Sequence, residues 1–170
     1  VLAAFIAAAL FGQAQLPDVH PWTLSRRAHG CSIEISFGDN DTLALSYQSG
    51  GEPVLFWLVS DRLKTVVDGE QYRVSTVLVM ADGTVDDSWS GVTFHGQMLG
   101  GRTSIVGGFR PTLLEDLSKT TAIEIVKDGR SVAIHPLEGA SAAMSALKDC
   151  GTTPSPKAPA ALRKRKIVYR

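Results

Sequence analysis

Cysteine is scarce in this sequence: Cys31 and Cys150 are the only two among 170 residues. No CxxC pair and no paired histidines accompany them, which excludes a zinc site of the usual spacing. Histidine is scarce as well. His20, His29, His95 and His135 form no i, i+4 pair and fall in no HExxH or CxxH frame. The GxSxG elbow is missing; the nearest string, residues 87–91, lacks its first glycine. There is no GxGxxG and no Walker loop, so nothing announces a dinucleotide or a nucleoside triphosphate. The longest apolar run covers residues 1–11, well short of the roughly 20 needed to cross a bilayer. No internal repeat is present. These absences leave no catalytic, metal or cofactor assignment, and the expectation is a chain without an enzymatic centre.

The composition itself is globular. With 44% hydrophobic and 20% charged residues, the chain fits one domain with a single core. Its formal net charge of zero hides an asymmetry. Lys157, Arg163, Lys164, Arg165, Lys166 and Arg170 lie in residues 152–170, which hold no acid. Removing those six from seventeen leaves eleven bases against seventeen acids, so residues 1–151 carry about −6. An acidic body is joined to a basic tail.

Residues 1–11 are followed by Gly12, Gln13 and Ala14. An apolar stretch of that length ending in small-x-small is what a signal peptidase reads. The expected division is a signal segment at 1–14 with cleavage after Ala14, one β-rich domain at 15–151, and a disordered basic tail at 152–170. An exported protein, periplasmic or secreted, with no transmembrane helix in its mature form follows.

The cysteines agree with export. Cys31 begins an alternation with Ile33, Ile35 and Phe37, which puts it on the buried face of a strand. Cys150 shares one helical stripe with Ala140, Ala143, Met144 and Leu147. Both sulfurs point inward, and an even count in an exported chain favours a bridge. A structural disulfide is expected, with two free core thiols as the alternative.

Strands are expected at residues 22–26, 31–37, 42–48, 54–59, 72–80, 88–98 and 102–106, and in a hairpin at 122–126 and 131–135 around Asp128-Gly129. Residues 54–59 are apolar on both faces, which reads as a strand covered on both sides. Thr112 and Glu115 have capping-box spacing for a short helix bearing Leu113, Leu114 and Leu117. An Ala-rich helix ends at Cys150. The expected fold is α+β and mostly β: an antiparallel meander, as a curled sheet or sandwich, packed by the short helix and the closing helix.

Few residues invite a functional role. His95 follows Phe94 and His135 follows Ile134, so both are read as facing solvent. Ser90 with His95 is the one nucleophile pairing worth testing, as in an envelope serine hydrolase. Asp39 and Asp41, and Asp82, Asp86 and Asp87, read as turn-capping residues, with a weak calcium loop as the alternative. Residues 96–102 form a candidate rigid loop for a secreted enzyme inhibitor. Arg163, Lys164, Arg165 and Lys166 suit an anionic envelope component or another envelope protein; nucleic acid is not expected as a partner.

The layout resembles small exported alphaproteobacterial domains, on the strength of Trp22, Cys31 and residues 137–150 ending in Cys150. More distantly it is similar to the invasion-associated locus B family of envelope proteins. That likeness implies an exported, non-catalytic envelope role. The family carries further cysteines that this chain lacks, and no functional residue is carried over.

Overall fold

A computed structural model describes residues 21–152, except 28, 29, 39, 49, 51 and 52. Nine strands account for most of it: β1 Thr23–Arg27, β2 Gly30–Phe37, β3 Asp41–Tyr47, β4 Val54–Val59, β5 Gln71–Met80, β6 Val85–Leu99, β7 Arg102–Phe109, β8 Thr120–Lys127 and β9 Arg130–Pro136. A 3-10 turn, Asp61–Leu63, follows β4. Helix α1, Leu113–Leu117, precedes β8, and α2, Ala140–Thr152, follows β9. The expected mostly-β architecture, a curled antiparallel sheet with one short and one closing helix, is what forms.

The strand order is β1-β2-β3-β4-β7-β6-β5-β8-β9, and every pairing is antiparallel. Two departures from a simple meander occur. β7 returns to lie beside β4, and β8 then pairs with the far side of β5. The turns explain the hairpins. At Asp128 and Gly129 both φ angles are positive, 53° and 72°, the signature of a two-residue type I′ turn.

Alternation along each strand sends one set of side chains inward. Ile33, Leu43, Leu45, Phe56, Leu58, Leu78, Phe94, Ile105, Ile123 and Ile125 are fully buried. Phe56, Phe94 and Phe109 meet with ring centroids 5.7–5.8 Å apart, and Trp89 joins Phe109 at 5.7 Å. Each such ring contributes about 1.5–3 kcal/mol by burial and gains more from its edge-on contacts. The two helices close the layer. Leu113, Leu114 and Leu117 of α1 are buried, and α2 packs on β1, β2, β3 and β8, so it bridges strands from both ends of the sheet.

Cys31 on β2 and Cys150 on α2 are disulfide-bonded, with Cα atoms 5.9 Å apart and both side chains buried. Each cysteine has a glycine beside it for the same reason. A Cβ on Gly151 would sit 2.6 Å from Tyr47 Cδ1. One on Gly30 would strike the Tyr47 carbonyl oxygen, and Gly30 also has φ of 116°. Tyr47 is the cross-strand partner of Cys31, so the helix end approaches β3 at Gly151, and β2 approaches it at Gly30, where a side chain would collide.

Two local expectations are corrected. Thr112 does not cap α1 through its side chain: its backbone is helical (φ −60°, ψ −22°). The first-turn amides are met instead by backbone carbonyls, Leu113 N–H donating to Arg110 and Leu114 N–H to Pro111. Strand β4 is fully covered on one face and only partly on the other: Leu55 is 37% exposed and Trp57 half-buried, whereas Val59, in phase with them, is buried.

Candidate functional site

The sequence puts a carboxylate where an aliphatic residue belongs. Asp41 opens β3 in phase with Leu43 and Leu45, and all three point into the core. Burying a lone carboxylate is costly, so the site must supply a partner. His135 on β9 does so: its Nε2 lies 2.9 Å from Asp41 Oδ2, and both residues are at least 95% buried. An ionised carboxylate only accepts, so Nε2 is the donor. Phe37, the cross-strand neighbour of Asp41, stacks on the imidazole with centroids 3.9 Å apart and planes 5° from parallel. The other oxygen, Asp41 Oδ1, is buried without a hydrogen-bond partner.

This pair joins strands six places apart in the sheet order. Nearby, the Trp22 indole N–H donates to the Glu138 carbonyl at 2.8 Å. Side chains thus fasten the two ends of the curled sheet together. Along this seam runs a groove of about 440 Å³. Residues 35–38 line one wall and Ile134, His135 and Pro136 another, while Pro21, Arg62 and Glu138 complete it. The groove is shaped by strand edges and prolines, and the imidazole forms part of its wall. With Nε2 committed to Asp41, that ring is suited to holding the seam and shaping the surface.

Comparison with family models, with curated proteins and with solved structures finds no match.

Of the residues singled out in the sequence, Cys31 and Cys150 come together. Arg163, Lys164, Arg165 and Lys166 lie outside the described residues, as do His20, His29 and Asp39. Ser90 and His95 are both exposed on β6, five residues apart along one strand, a span of about 16 Å; they are not brought together. Asp82 accepts from the Thr84 hydroxyl at 2.6 Å and from the Thr84 N–H at 2.9 Å, and Asp86 from the Ser88 N–H at 2.9 Å. Both carboxyls are held below the usual carboxylate value, Asp82 mainly by the Thr84 hydroxyl and Asp86 mainly by the Ser88 hydroxyl. Asp82 is thus a turn residue, as expected, whereas Asp86 and Asp87 lie on β6, where the Asp86 carboxylate is taken up by Ser88 two residues on; the described residues contain no group of three metal-ligating side chains.

His135 and Asp41 are the corrections. His135 faces the core and Ile134 faces solvent at 60% exposure, the reverse of the sequence reading. Asp41 is a buried strand residue, and its carboxylate belongs to the seam instead of a turn. The signal was available: Asp41 shares the buried phase of β3, and a core-phase carboxylate demands a donor.

Residues 96–102 span the end of the β6–β7 hairpin. Gly100 and Gly101 turn it with φ of 58° and 81°, and Met98 and Leu99 are 53% and 56% exposed. The Gly96 carbonyl accepts from Gly69 N–H, and Met98 N–H donates to Asp68 Oδ1.

Proposed function

We propose that this chain is an exported binding protein of the cell envelope or its exterior, built on a disulfide-fastened sheet and presenting a preformed groove. The observation that carries the reading is the seam. The groove walls belong to strands, and the one imidazole there is fixed by a buried carboxylate and a stacked ring, an arrangement suited to a rigid recognition surface. Three features support the compartment. The disulfide is of the kind that persists where conditions are oxidising. Residues 1–14 read as a signal segment. No helix among the described residues is long and apolar enough to cross a membrane.

The basic segment supplies attraction to an anionic partner. Each base near a charged surface contributes about 1 kcal/mol before salt screens it. Deleting residues 152–170 should weaken association with anionic phospholipid vesicles and with envelope fractions, most visibly at low salt. Unchanged association would remove the tethering role.

A second reading, an enzyme inhibitor, is favoured by the hairpin tip alone. Met98 and Leu99 are exposed on a hydrogen-bonded frame, as an inserting loop requires. Replacing both by serine should abolish inhibition of any target enzyme while leaving vesicle association intact.

A further inference from the structure

The β6–β7 hairpin outruns the strands on either side of it. On one side β5 begins at Gln71, opposite His95; on the other β4 ends at Val59, opposite Ser104. The cross-strand pairs Met98–Thr103 and Leu99–Arg102 lie past both limits. At a rise of about 3.4 Å per residue, two pairs project about 7 Å before the Gly100-Gly101 turn is added. The projection is braced at its base. Gly69 N–H donates to the Gly96 carbonyl, Met98 N–H to Asp68 Oδ1 and Ser60 N–H to the Thr103 carbonyl.

The side chains at this end are apolar and open to solvent. Met98 and Leu99 are 53% and 56% exposed, and Val67, in the bracing loop, is 53% exposed. Exposed large apolar residues gathered at one place mark an interaction surface. From Gly96 to Thr103 there is no acid, and the one charge is Arg102, which faces Asp61 at 3.8 Å. A convex apex has no walls with which to enclose a small ligand. It fits a fluid apolar medium beneath a layer of phosphate, where apolar residues enter the acyl boundary and a guanidinium stays level with the headgroups. The projection matches the depth of about 5–10 Å to which interfacial elements bury their apolar face.

We propose that the hairpin tip is a bilayer-inserting wedge, with Met98 and Leu99 entering the acyl boundary of a phospholipid surface and Arg102 meeting its phosphates. The proposal deepens the binding reading above by naming the surface as lipid, and it rests on that reading. The basic segment and the tip then act as two signals, which is what stable attachment to a bilayer takes. The first is an attraction between charges and weakens with salt. The second is burial of apolar surface, which salt does not screen.

The test uses the full chain and vesicles of phosphatidylcholine with phosphatidylglycerol, the partition coefficient being read by sedimentation at low and at high salt. Met98→Ser/Leu99→Ser, a change at exposed positions that the fold tolerates, should weaken association roughly tenfold, by the same factor at both salts. Deleting residues 152–170 should act mainly at low salt. Val85→Ser, an exposed apolar position at the other end of β6, should change nothing. In Leu99→Trp the added indole should shift to shorter emission wavelength on binding and be quenched by lipids brominated along the acyl chain, beyond the response of the native chain. Insertion is overturned if the double serine variant associates as the native chain does, which is the outcome an enzyme-inhibiting tip requires. It is equally overturned if Val85→Ser weakens association as much, or if the added indole is not quenched. The tail deletion separates the two failures. Association that still depends on residues 152–170 while the serine change is silent removes insertion alone, whereas a native chain that associates with no vesicle at either salt removes the lipid-binding reading as well.

Discussion

Asp41 and His135 show how much a single contact can hold. Removing one partner of a buried hydrogen-bonded pair leaves the other desolvated and alone, at a cost of about 1–3 kcal/mol and more for a charged group. His135→Ala should therefore lower the free energy of urea unfolding by about that amount, and by more than Asp41→Leu/His135→Leu together, which leaves no orphaned charge. If the single change is the milder one, the pair does not fasten the seam. The sequence contained half of this. Alternation put Asp41 in phase with Leu43 and Leu45, but at β9 hydrophobicity favoured Ile134 for the interior. Period-two patterning offers two phases, and a histidine with a partner 94 positions away cannot be weighed locally. Acid chemistry at Asp82 and Asp86 is separate and simpler. Both carboxyls titrate below their ordinary value of 3.8. A depressed native pKa contributes stability above the unfolded value that is lost as pH falls through the native one. Carboxyl-carbon NMR should place both midpoints below 3.8, and Thr84→Ala should raise that of Asp82. The β5–β6 turn then loosens only in strong acid.

Among the elements, α2 depends most on a covalent bond. Its stripe of Ala143, Met144, Leu147 and Cys150 is buried, and the bridge ties it to β2 over a separation of 119 residues. Replacing Cys31 and Cys150 by alanine should cost about 2–5 kcal/mol, read as a lower thermal midpoint that reductant reproduces in the native chain. A midpoint indifferent to reductant would mean that α2 packs equally well without the bridge. The helix and the bridge were legible because helical and strand periods both resolved there. Strand positions were legible too, and for the same reason. α1 was read in the right place for the wrong reason: Thr112 has the correct spacing, but Pro111 and Arg110 already provide acceptors. β4 misled in another way. Leu55 is apolar yet exposed and Trp57 only half-buried, and composition alone does not say which face a neighbour reaches.

At the scale of the molecule, the sheet order requires distant segments to meet. β7 must find β4, β8 must find β5, and the seam joins β9 to the β2–β3 turn, so folding is expected to be slow for its size. None of this order is encoded in local patterning, which is why the seam groove was not foreseen. The distribution of charge was, since it needs only counting. Export makes a prediction here as well. Intact mass of protein recovered from its producing cell should correspond to a chain starting at Gln15, and should be lighter by a pair of hydrogens before reduction. A species that retains residues 1–14 with two free thiols would overturn the compartment.

The bridge between Cys31 and Cys150 also turns most of the chain into a closed loop. Every strand from β2 onward, and α1, lies on that loop. One protease cut within it, for instance at the Gly100-Gly101 turn, does not release a fragment. The nicked molecule keeps both pieces on one covalent frame, free to stay paired across the sheet. Such damage is invisible in a non-reducing gel and appears as two bands only when the sulfurs are parted.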